Sequence, residues 1–301
     1  MGFLISAGSY NPGFTNQVVQ VLSYKHGFHA GNHADVLKHT VLTACLRYMK
    51  KKSKPLVYID THAGAGGYRL QSDEARKTAE ADGGINRLLQ ASDMPPLLED
   101  YVSAIRAMQA RPGAEDVYPG SPRIAADLLD QGDRLQLFEA HPAEAPRLAK
   151  RFERDRRARV AQSDGLAGLL AALPPPERRA LVLIDPSYEV KSDYEAVVAT
   201  VIKAHRKFAQ AVCLIWYPVV ERRRIKAMEQ ALSESGIRNI AQIELAVRPE
   251  GIKAGMTASG LFVINPPFTL LPEMQPVLAY LSDALAESRA AGSICRQWVA
   301  E

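Results

Sequence analysis

The sequence predicts a doubly wound, three-layer α/β domain, with a mostly parallel sheet covered by helices on both faces. Three observations carry this expectation. Seven short apolar runs recur along the 301 residues, with helical patterns between most of them. That alternation is the signature of strands buried on both faces. The last two runs are joined only by "RPEGIKAGMTASG". This is too short for a helical crossover, so they are expected as an antiparallel hairpin at one edge of the sheet.

The elements follow in order. Residues 1–20, "MGFLISAGSYNPGFTNQVVQ", lack the basic start of a secretory leader and have a polar Pro-Gly middle. They are expected to be a disordered extension or a mis-assigned start, with Val21 as the true beginning. Asn32 is placed to cap a helix, with Asp35 as the acidic partner of its first turn. Leu37, Val41, Ala44, Cys45 and Tyr48 then recur at helical spacing. An amphipathic helix should therefore run from Asn32 to about Lys50 and stop before Pro55. The expected strands are Leu56–Ile59, Leu135–Phe138, Arg159–Ala161, Leu181–Ile184, Val212–Trp216, Ile240–Ala246 and Leu261–Ile264. About 75 residues separate the first two, far more than one crossover helix uses. Residues 70–117 are therefore read as an inserted helical subdomain, with Pro95-Pro96 between two helices. Residues 21–69 and 118–301 form the main domain.

Composition bounds the function. Charged residues are 23% and hydrophobic residues 47%, with a net charge of +4, as in soluble globular proteins. No apolar run approaches the roughly 18 residues of a membrane span. Cys45, Cys213 and Cys295 are scattered, which argues against a disulfide scaffold or thiolate zinc site and suits a reducing, cytoplasmic compartment. Basic residues cluster at Lys50–Lys54, Arg147–Arg159 and Arg222–Lys226. Three clusters on one chain lean towards a polyanionic partner. The histidine-rich stretch "YKHGFHAGNHADVLKHT" is read as packing and capping rather than as a metal site, because Gly31 and the Asn32 cap keep His29 and His33 off one helix face. No feature demands more than a monomer.

In a doubly wound sheet, ligands bind beyond the carboxyl ends of the parallel strands. After the first strand comes "DTHAGAGG", where Gly64, Gly66 and Gly67 permit a tight turn and a close backbone approach. After the second comes Glu139, placed to take ribose hydroxyls. After the third come Asp164 and Gly165, the acid able to accept from an adenine amine. After the fourth comes "DPSY", Asp185 to Tyr188. Each acid alone can be a helix cap. Together, four acidic strand ends resemble the S-adenosylmethionine site of Rossmann-like class I methyltransferases.

Asp-Pro-Ser-Tyr is similar to the Asp/Asn-Pro-Pro-Tyr/Phe of adenine-N6 methyltransferases. The adenine amine is a poor nucleophile because its lone pair is conjugated with the ring. The Asp185 carboxylate and Pro186 carbonyl can accept both N–H groups, with Asp185 taking the proton. Tyr188 would stack on the displaced base. Ser187 stands where a second proline is usual and should loosen the turn. A competitor, "NPPF" at Asn265, fits the motif better as letters. An antiparallel last strand would put it on the opposite rim, so Asp185 is preferred.

"LSYKHGFHAGNHADVLKHTV", "DTHAGAGGY", "YPGSP", "LIDPSYE", "LIWYPVV", "QIELAV" and "GMTASGLFVINPP" resemble the bacterial 23S ribosomal RNA adenine-N6 methyltransferase family known as RlmJ. The likeness runs from about Leu22 to Pro267. It implies methylation of one adenine of 23S ribosomal RNA in the cytoplasm. It implies cofactor contacts at His39, His62, Ser121, Glu139, Asp164 and Gly165, a proton acceptor at Asp185 and an RNA contact at Tyr24. It also implies a small helical insertion after the first strand. Other readings are a DNA adenine methyltransferase, a protein glutamine methyltransferase, a non-catalytic RNA-binding module and a nicotinamide-dependent oxidoreductase. The last offers no reason for Asp-Pro-Ser-Tyr.

Overall fold

The computed structural model describes residues 25–251, 255–289 and 291–301. The expected extension at residues 1–20 and Tyr24 lie outside the described residues. The strands are β1 (Val57–Asp60), β2 (Gly67–Arg69), β3 (Val117–Pro119), β4 (Arg134–Phe138), β5 (Ala158–Ala161), β6 (Ala180–Ile184), β7 (Val212–Val219), β8 (Ile240–Ala246), β9 (Ala258–Ile264) and β10 (Gly292–Val299). Eight of them form one sheet, in the order β10-β8-β9-β7-β6-β1-β4-β5. β2 and β3 form a separate antiparallel ribbon.

β5, β4, β1, β6 and β7 pair in parallel. β9 runs antiparallel between β7 and β8. All seven expected strands are present. β10 is an addition, antiparallel to β8 on its outer side. It covers the edge at which the hairpin was expected to end. Its sequence, "GSICRQWV", gives no apolar run, because an edge strand leaves much of its length to solvent.

β1 and β6 are buried along their whole length, as parallel strands covered on both faces must be. One apolar cluster lies on each face. The first joins α1 (His33–Lys50) and the carboxyl-terminal helix Leu270–Ala284 to the sheet. The second holds the helices Gly165–Ala172, Asp193–Lys207 and Arg222–Glu234. In the segment after β1, Pro96 opens the helix Pro96–Gln109, a position where its missing N–H costs nothing. That helix buries Leu98, Tyr101, Val102 and Ile105 in the same cluster as α1. The inserted segment thus extends the main core rather than building its own.

The packing changes α1. The Asn32 side chain accepts from the backbone N–H of Ala34 and Asp35, both at 3.0 Å, a cap worth about 1 kcal/mol. The helix is not amphipathic in place: Asp35, Lys38, His39, Thr40 and Thr43 are buried together with its apolar residues. The inserted helix and the sheet cover faces that the sequence marks as polar.

Candidate active site

β1, β4, β5 and β6 are parallel, so their carboxyl ends share one rim. Asp60 closes β1 and is fully buried. It accepts from the Tyr58 hydroxyl at 2.6 Å, the Ser121 hydroxyl at 2.7 Å and the His62 N–H at 3.2 Å. Burial pushes its carboxyl up to about 6, against the pull of those three donors. The loop then turns through Gly64, at φ +58. A Cβ there would lie 2.0 Å from the Tyr68 hydroxyl, so the turn depends on glycine.

The Gly64 N–H donates to Glu139 at 2.7 Å, and the other carboxylate oxygen accepts from the His141 N–H at 2.7 Å. Burial raises the Glu139 carboxyl above its ordinary value, opposed by those two donors. Asp164 caps the helix Gly165–Ala172, accepting from Leu166 and Ala167 N–H through one oxygen. Gly165 packs against the first loop so closely that a Cβ would lie 1.8 Å from the Thr61 carbonyl. His39 is buried beside the Tyr118 hydroxyl at 2.8 Å, and the His62 ring meets the Thr61 hydroxyl at 2.8 Å. His39, His62, Gly64, Ser121, Glu139 and Asp164 all line one cavity of about 360 Å³, with Asp185 and Pro186 on its far wall. Gly165 stands behind that lining.

Asp185 follows β6, its side chain 14% exposed. It accepts from Lys38 Nζ, which also lies 2.8 Å from Asp35. Asp35 in turn accepts from the Gly31 N–H and faces His26, both at 2.9 Å. Burial works against the Lys38 ammonium, but Asp185 and Asp35 more than offset it and hold it protonated. Burial raises the Asp185 carboxyl, and Lys38 opposes the rise.

A second cavity of about 690 Å³ opens on the other side of this pair, walled by Tyr188, Tyr194 and Trp216. The two cavities share His26, Lys38, Asp185, Ser187 and Glu189. Tyr188 is 8% exposed. Its ring lies 4.4 Å from that of Tyr194, and its hydroxyl donates to the Trp216 carbonyl at 2.7 Å. It forms one wall of an aromatic cluster rather than projecting freely. It sits at φ +54, an uncommon conformation for a bulky residue that marks stored strain.

Asn265 ends β9, whose antiparallel direction puts it on the opposite rim. Its amide donates to the Ala209 and Ala211 carbonyls at 2.7 and 2.8 Å. "NPPF" is there a strand-ending turn. The basic clusters are partly structural: Lys50 pairs with Asp130 and Asp133, and Arg222 forks onto Glu244. Sequence reasoning missed Lys38, His26 and Trp216 as site residues. The signal for Lys38 was its i,i+3 spacing from Asp35, which becomes informative only once that helix face is known to be covered.

Comparisons with known proteins agree on one family. A family model described as ribosomal RNA large subunit methyltransferase D, RlmJ, matches residues 53–300. Ribosomal RNA large subunit methyltransferase J of Escherichia coli is 50% identical over 265 residues, covering 88% of this chain and 94% of that protein. The Haemophilus influenzae protein of the same description is 46% identical over 279 residues, covering 93% and 99%. A Legionella pneumophila protein of known crystal structure superposes with a TM-score of 0.82 at 36% identity, covering 89% of this chain and 98% of that one.

Proposed function

The chain belongs to the RlmJ family of large-subunit ribosomal RNA methyltransferases, and from that premise we propose that it methylates N6 of one adenine in 23S ribosomal RNA, with S-adenosylmethionine as donor. The observation that carries this reading is that the two cavities meet at Asp185. The smaller one suits the donor: the backbone of Gly64 lines it directly, and the Glu139 and Asp164 carboxylates stand ready for ribose hydroxyls and an adenine amine. When bound, S-adenosylmethionine supplies a methyl group already activated on a sulfonium.

The chain's own residues do the rest. The larger cavity admits an adenine displaced from its strand, against Tyr188 and Trp216. The Asp185 carboxylate and Pro186 carbonyl accept the two N6 hydrogens and localise the lone pair on nitrogen. With the donor bound, one N6 proton would pass to Asp185 as the amine takes up the methyl group. Lys38 opposes the rise that burial imposes on the Asp185 carboxyl. Holding amine and methyl in line contributes much of the acceleration. Ser187, in place of a second proline, leaves the carboxylate, the carbonyl and the ring at hand. Tyr24 completes the reading as an RNA contact.

The test is methyl transfer from labelled S-adenosylmethionine to unmodified 23S ribosomal RNA, with base analysis of the product. Wild type should yield N6-methyladenine. Asp185→Ala should lose transfer by at least about 10²-fold while still binding the donor. Asn265→Ala should transfer normally. Activity lost at Asn265 but kept at Asp185 would overturn the assignment, as would a methyl group found on any other base.

A further inference from the structure

Behind the glycine-rich loop lies a third concavity, of about 290 Å³, which the reaction above does not use. It is bounded by the β2–β3 ribbon, the turn after the helix Pro96–Gln109 and the faces of two helices that carry Arg123 and Arg151. Four arginines line it, Arg69, Arg111, Arg123 and Arg151, and no carboxylate does among the described residues. Two of the charges are partly compensated from outside, Arg69 by Asp116 and Arg123 by Asp127. Two are not. Arg111 is exposed, and its guanidinium has no partner among the described residues. Arg151 donates to the Ala65 and Gly67 carbonyls, each at 3.1 Å, which engages part of its guanidinium and leaves its charge without a counter-ion among the described residues. Burial, then the positive fields of Arg123 and Arg69, hold Arg151 below the ordinary arginine value. Tyr68 borders both this groove and the smaller cavity, so the groove begins where the cofactor loop ends.

We propose that this groove binds the phosphodiester backbone of the RNA substrate, away from the target adenine. The inference rests on the reading of the substrate as RNA and deepens it. Guanidinium forks match phosphate oxygens bidentately, and a surface that gathers cations without acids is stabilised by a polyanion. Such contacts fix register without reading sequence. Because Arg151 also holds the backbone of the loop at Ala65 and Gly67, phosphate bound in the groove would brace the loop that frames the donor.

The experiment measures binding of an unmodified large-subunit ribosomal RNA fragment to the full chain, to Arg111→Ala and to Arg111→Glu, across salt concentrations. Arg111 touches neither loop nor cavity lining of the reaction site. For Arg111→Ala the slope of log affinity against log salt should fall by about one. Arg111→Glu should weaken binding roughly ten-fold or more at low salt. Affinity for S-adenosylmethionine should stay unchanged in both variants. Millimolar inorganic phosphate should compete poorly with the RNA. Unchanged RNA affinity and slope would overturn the groove, and so would a matching loss of donor affinity, which would mark Arg111 as structural. Efficient displacement of the RNA by inorganic phosphate would show a small-anion site instead. Wild type that binds RNA through Arg111 yet transfers no methyl group would leave the groove standing and sink the adenine-N6 reading.

Discussion

Lys38 shows how much a single residue decides. Its ammonium is buried between Asp35 and Asp185, with the Trp216 ring 5.7 Å from it. A buried cation between two carboxylates lowers the proton affinity of both. On the mechanism proposed above, Asp185 has to be ionised to accept from an amine, and Lys38 would then set the pH at which the site works. Lys38→Met should therefore move the acid limb of the rate profile to higher pH, because burial then raises Asp185 with only the field of His26 against it. Transfer at neutral pH should fall by about 10²-fold. Stability should fall by about 3–5 kcal/mol, since two buried carboxylates lose their counter-charge. The check is a kcat/KM profile against pH beside a urea melt. An acid limb that stays in place would show that Lys38 acts on packing alone.

At the scale of elements, glycine decides how closely the site's parts approach. The helix start at Gly165 and the first loop at Thr61 come within a distance that no side chain allows. Gly165→Ala should force both apart. It should destabilise by roughly 1–3 kcal/mol and weaken donor binding, because Asp164 moves with the helix it caps. Gly83→Ala has open space around it and should change stability by less than about 0.5 kcal/mol. Equal effects in thermal melts of the two variants would remove the close-approach argument. These elements also show what the sequence could reveal. Strand ends were legible because apolar runs stop abruptly at Asp60, Glu139 and Asp185. The reversed direction of β9 was legible from the length of one linker. β10 was not, because an edge strand needs no apolar face. Nor was the burial of α1's polar side, where Asp35 and Lys38 meet His26 and Asp185 and His39 meets Tyr118 and Tyr101. Lys38 stayed hidden because a buried charge is visible only through its partners, and Asp185 lies far along the chain.

At the scale of the whole molecule, three neutral histidines are built into the folded state around the site. Burial holds His33 and His62 down to about 4 and His39 down to about 3. Each has a folded pKa below its unfolded value of about 6.5, so each contributes stability above that pH and loses it as pH falls towards 4. Asp60, pushed up to about 6, works the other way: its contribution is complete below its unfolded value and disappears as pH rises through 6. Glu139 and Asp185, also raised by burial, act as Asp60 does, but the three imidazoles are displaced further than Asp60 and leave the first effect dominant. The urea midpoint of the full chain should therefore drop steadily from about pH 6.5 to 4.5. His39→Leu should flatten that slope, since it removes the group most depressed by burial, although its absolute stability falls with the lost contact to Tyr118. Asp60→Asn should steepen the slope, because the offsetting proton uptake is gone. A wild-type midpoint that rises on acidification, or an Asp60→Asn slope shallower than wild type, would mean that these buried groups do not govern the acid stability of the fold.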